Sequence, residues 1–90
     1  MKSIIQHDKR CFVCGNIEAD THHIRLGNCS RKKAEKYGLI MYLCWKHHRE
    51  LHDNPAIKES VQKMAQKKLE QFISHDEYMK NFKKNYLERN

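Results

Sequence analysis

Two short-spaced ligand pairs, Cys11-x-x-Cys14 and Cys44-x-x-His47, frame the first half of the chain. Each pair can grip one metal ion through a tight local turn, and together they supply the four donors of a tetrahedral structural zinc site. A second group of imidazoles is left over. His22 and His23 are adjacent, whereas His48 and His52 are four residues apart and so share one face of any helix that contains them. Both members of the second pair and one of the first can hold a divalent ion with positions open to water or substrate. Adjacent strand residues face opposite sides, so one of His22 and His23 ligates and the other is free to move protons. Cys29 offers a rival zinc set, Cys11, Cys14, Cys29 and Cys44, which would release His47. The fixed local geometry between Cys44 and His47 favours the set with His47 and leaves Cys29 a free thiol.

The elements that must position these residues follow from pattern. "CFVCG" is a tight turn that presents two sulfurs, with Gly15 available for a left-handed backbone. "ADTHHI" and the apolar run "GLIMYLC", opening at Gly38, read as strands. The fourteen residues from Arg25 to Gly38 are too many for a tight hairpin and read as a working loop. After "LC" the pattern turns helical, with His48 and His52 on one face. Asn54 and Pro55 end that helix and can open another as N-cap and first residue. Ile57, Val61, Met64, Ala65, Leu69, Phe72 and Ile73 then recur at helical spacing and mark a face directed to the core. "SHDE" has the form of a capping box, Ser74 to Glu77, and starts a last helix with Tyr78, Phe82 and Tyr86 on one side. That aromatic side either packs inward or pairs with a second copy.

The expected fold is thus a small zinc-stabilised α+β domain spanning residues 1–90. With 90 residues, 39% of them hydrophobic, a conventional core would be marginal without a staple. The first ten residues carry no apolar run suited to a signal peptide, and no stretch approaches the roughly 20 apolar residues of a membrane span. The expected setting is therefore a reducing cytoplasm without membrane attachment, where a Cys-x-x-Cys pair binds metal before it forms a disulfide. A formal charge of +7 and a pI near 9.4 suit a polyanionic partner. Arg25, Arg31, Lys32, Lys33 and Lys36 crowd the stretch between the two histidine groups.

The order Cys-x-x-Cys, His-His, apolar strand, Leu-Cys-x-x-His-His and a further His resembles the HNH endonucleases over residues 11–53. Within that family the chain looks most like small zinc-containing proteins of phages and other mobile elements, which its "FKKNYL" tail also fits. The resemblance implies a ββα-metal, treble-clef-like core over 11–53, followed by a helical extension over 54–90. It implies that His22, His48 and His52 are ligands of a catalytic metal and that His23 is the general base acting on the attacking water. It also implies that Cys11, Cys14, Cys44 and His47 hold structural zinc. DNA is the implied partner, with Arg25, Arg31, Lys32, Lys33 and Lys36 on its phosphates, and a larger phage complex would add the specificity this chain lacks. One departure is plain. The family usually carries an Asn on or just before the second strand to orient the catalytic imidazole, and "KYGLIMYLC" has none. Asn28 or a backbone carbonyl would have to hold the ring, or activity would be weak or lost.

The implied chemistry suits the residues. Phosphodiester hydrolysis needs an activated water and charge stabilisation on the phosphoryl and leaving oxygens. Histidine titrates near neutrality and can take the proton. An all-imidazole site favours zinc, nickel, cobalt or manganese over magnesium. The alternative is a non-catalytic zinc module that binds nucleic acid or protein, which leaves His22, His23, His48 and His52 without a joint role. A secreted disulfide miniprotein is a more distant third.

Overall fold

A computed structural model describes residues 3–87 of the protein. Among the described residues there are two strands and four helices in an α+β arrangement, with no helix long and apolar enough to cross a membrane. Strand β1 (Asp20–His23) pairs antiparallel with β2 (Ile40–Leu43), setting Thr21 opposite Tyr42, His22 opposite Met41 and His23 opposite Ile40. A two-stranded ribbon is not stable alone in water. Ile40, Met41 and Leu43 of β2 are accordingly buried under the helices, which is why the apolar run breaks strict alternation.

The connection between the strands is not the irregular loop its length suggests. It contains helix α1 (Arg31–Lys36), capped by Ser30, whose hydroxyl accepts the Lys33 N–H at 3.0 Å. Arg, Lys, Ala and Glu all tolerate a helix, but six residues with one buried side chain, Ala34, carry too little apolar periodicity to announce it. The turn into α1 passes through Gly27 at φ +60°, where an added Cβ would lie 1.9 Å from the Phe82 carbonyl oxygen. At the other end Gly38 takes φ 72°, and Leu39 N–H reaches back to the Ala34 carbonyl, closing the helix.

Helix α2 (Trp45–Asp53) starts immediately after β2, with Cys44 as its N-cap residue. Asn54 caps α3 (Pro55–Leu69) as expected, its side-chain oxygen accepting from Ala56 and Ile57 N–H at 3.0 and 3.3 Å. Ser74 likewise caps α4 (His75–Phe82) through Glu77 N–H at 3.1 Å. The α3 stripe is shorter than its periodicity predicts. Ala65 and Leu69 are buried, but the helix ends at Leu69 and Phe72 lies beyond it in solvent.

Tyr78 and Phe82 stack at 5.1 Å and are fully buried within their own chain, so the aromatic side of α4 packs inward. Tyr86 falls outside α4. Its N–H donates to the side-chain oxygen of buried Gln66 at 2.7 Å, and its hydroxyl accepts from Gly27 N–H at 3.0 Å. The Tyr78 hydroxyl donates to the Lys84 carbonyl at 2.6 Å. These bonds fold the chain after α4 back against the turn that follows β1.

Candidate metal centre and histidine cleft

The knuckle turn is built by Gly15, at φ 77°, donating to the Cys11 carbonyl, and by Cys11 N–H donating to the Asn16 carbonyl. Phe12 N–H ties the turn to the Tyr42 carbonyl of β2 at 2.7 Å. The first turn of α2 brings up Cys44 and His47. The His47 Nδ1 lies 3.5 Å from Cys11 Sγ and 3.3 Å from Cys44 Sγ, and Cys14 Sγ lies 3.8 Å from Cys44 Sγ. All four ligand atoms fall within 4.8 Å of one another, the single such group among the described residues. Zinc–sulfur bonds of about 2.3 Å and zinc–nitrogen bonds of about 2.1 Å give three sulfurs and one nitrogen a tetrahedron with edges of roughly 3.6–3.8 Å. The donor set fits a zinc ion. Cys29 is a buried free thiol outside the group, so the set with His47 is the one that comes together.

The sulfurs' electrostatics point the same way. Burial pushes the Cys11 thiol up, but hydrogen bonds from the backbone of Cys44, Cys14 and Val13 and from the His47 ring outweigh it and bring it down to about 6. For Cys14 the Asn16 backbone acts downward, yet desolvation and the neighbouring Cys11 and Cys44 sulfurs leave it above its ordinary value. One thiolate forms readily and a second is costly beside it. A cation at the centre relieves that conflict.

Three further imidazoles gather where α2 meets β1. His22 projects from β1 and meets His48 edge-on at 5.1 Å between ring centroids; His48 and His52 are 4.9 Å apart and His22 and His52 6.3 Å. Three rings bound to one ion by bonds of about 2.1 Å would have centroids roughly 4.5–5.3 Å apart. Two centroid separations fall in that range and the third is wider, so the three rings are gathered less closely than the four knuckle ligands. Burial, then the charges of His48, His52, His23 and Lys58, depress His22 to about 4, so its ring is neutral at physiological pH, as a ligand must be.

His22, His23 and His52 line a cleft of about 810 Å³ that runs between β1 and α3. The His23 side chain is only 11% exposed, and its Nε2 lies 2.8 Å from Glu35 Oε2 on α1. Asn28, at φ 61°, also lines the cleft, but the side chain hydrogen-bonded to the His23 ring is the Glu35 carboxylate. Glu35 is absent from the sequence-derived set, although the sequence held a signal: it is the sole acidic residue between Asp20 and Glu50.

The five expected basic residues separate. Arg25 and Arg31 line the cleft. Lys32 is exposed on α1, outside the cleft lining. Lys33 donates to the Asn81 carbonyl at 2.7 Å and lies over the Phe82 ring, holding α1 to α4. Lys36 lies over Tyr37 and lines a separate groove beside Ile4 and Ile5. Two cations not foreseen, Lys58 of α3 and Lys84 after α4, line the cleft instead. Their place depends on how α3 and the final segment fold back, which no local spacing encodes. No protein-family model matches this chain, and neither a curated protein nor a solved structure does.

Proposed function

We propose that the protein is a metal-dependent endonuclease of the HNH type that hydrolyses DNA phosphodiester bonds, with a ββα-metal core formed by β1, β2 and α2. The observation that carries this reading is the meeting of three imidazoles from β1 and α2, His22, His48 and His52, two of which, His22 and His52, line with His23 a cleft walled by cations. A structural zinc module needs none of these four histidines.

In this reading His22, His48 and His52 hold the catalytic ion. When bound among three neutral ligands, a divalent ion supplies charge stabilisation to the phosphoryl and departing 3′ oxygens. His23 takes the proton of the attacking water, its ring already fixed at the cleft wall. Arg25, Arg31, Lys58 and Lys84 hold phosphates on either side of the cut, contacts that place the backbone without reading sequence. Lys33 braces α1 rather than DNA, and Lys32 and Lys36 add only long-range charge. The Cys11, Cys14, Cys44 and His47 zinc keeps the start of α2 registered on β2, and with it His48 and His52.

The test is cleavage of supercoiled plasmid by metal-stripped protein resupplied with magnesium, manganese, nickel or zinc, beside His23→Ala. Wild type cuts with manganese, nickel or zinc better than with magnesium, and the variant does not cut while keeping its metal and its DNA affinity. Absence of cutting under every metal, with one zinc per chain instead of two metals, would establish the non-catalytic zinc module.

A further inference from the structure

His23 and Glu35 are twelve residues apart and meet because α1 packs along β1. An ionised carboxylate can only accept, so at the 2.8 Å contact the His23 Nε2 carries a proton, and in the neutral ring that leaves the lone pair on Nδ1. Arg31, one turn earlier on α1, sets its Nε 3.7 Å from the same Glu35 oxygen and tethers it. An exposed Arg–Glu pair on a short helix contributes little to stability. Here the carboxylate is partly exposed while the imidazole it holds is 11% exposed and lines the cleft, an arrangement that orders the ring more than it supports the helix.

Resting on the reading of His23 as the proton acceptor, we propose that Glu35 is its positioning residue: the carboxylate fixes the tautomer and orientation of the His23 ring, leaving Nδ1 as the nitrogen that takes the proton. A chain that lacks an Asn before β2 thus orients its base from the helix inserted between the strands. The same logic governs any imidazole base whose second nitrogen is held by a carboxylate.

The experiment compares the zinc-loaded 90-residue wild type, Glu35→Ala and Glu35→Gln by nitrogen NMR of the His23 ring and by the kcat and KM of plasmid cleavage. In wild type His23 is a single tautomer protonated at Nε2. Glu35→Ala yields a tautomer mixture and a kcat lower by on the order of 100-fold, with KM, metal content and plasmid Kd unchanged. Glu35→Gln, whose amide oxygen still accepts, restores the wild-type tautomer and most of kcat. The proposal is overturned by an Ala variant with wild-type tautomer and kcat, by losses confined to KM or metal content, or by a Gln variant with a scrambled tautomer. This last arm decides even where the Ala variant does not fold. Should wild type itself not cut, the nuclease reading falls, and the tautomer comparison alone decides Glu35.

Discussion

One helix, α2, feeds two histidine-bearing clusters that are held in different ways. At its first turn Cys44 and His47 close on Cys11 and Cys14, with every ligand atom within 4.8 Å of the others. From the very next residue, His48, and from His52 one turn further on, two imidazoles face His22 at ring separations of 4.9–6.3 Å, a looser gathering at the edge of a cleft. The first cluster is made of two local turns, each fixing its pair by spacing alone. The second joins a strand to a helix, so its geometry depends on how those elements pack. On the proposed nuclease reading the two arrangements would serve different ions, a structural one enclosed by four protein donors and a catalytic one that leaves room for substrate.

Replacing Cys44 with Ser is the harshest way to test this contrast. The knuckle loses a ligand, zinc is released and the domain unfolds, because structural zinc contributes on the order of 10 kcal/mol to folding in small zinc domains. Circular dichroism and zinc content check this, and a folded Cys44→Ser protein with its zinc intact would refute the knuckle. His48→Ala, by contrast, leaves the fold and the zinc in place while removing a second bound metal, read as a fall from two metals per chain to one.

Acid separates the clusters further. The folded-state value of His22, about 4, lies below the ordinary 6.5, so above pH 6.5 the ring is neutral in both folded and unfolded chains and contributes nothing. As pH falls through 6.5 the unfolded chain takes up a proton that the folded one refuses, and stability declines until about pH 4, where the folded ring also charges. Melting of the zinc-loaded protein across that window falls more steeply for wild type than for His22→Gln. Equal slopes would mean that His22 is not held neutral by its surroundings.

The smallest effects concern the cleft walls. Lys58→Ala with Lys84→Ala weakens plasmid binding and flattens its salt dependence by about one unit of slope per lost phosphate contact. Lys32→Ala with Lys36→Ala changes the slope less, because those side chains lie outside the cleft lining. The reverse order would place DNA on another face.

Much of this was legible in the residues. The Cys-x-x-Cys and Cys-x-x-His spacings named the four residues that come together as a group able to hold a metal ion, because a turn of three or four residues has few conformations. The caps at Asn54 and Ser74 marked helix starts because their side chains satisfy orphan N–H groups locally. Helix α1 was not legible. Its polar residues carry a single buried Ala34, and it stands because Ser30 caps it and Lys33 braces it to Asn81.

The sequence by itself determined the candidate ligand types, their local pairing, the net positive charge and the approximate order of strands and helices, all set within a few residues by composition, covalent spacing and hydrogen-bond chemistry. Only the tertiary structure decided which cations share the histidine cleft, that Tyr78 and Phe82 face inward, and that Glu35 holds His23. Those outcomes join residues twelve or more positions apart, and such contacts are selected by packing the whole chain rather than by any spacing within it.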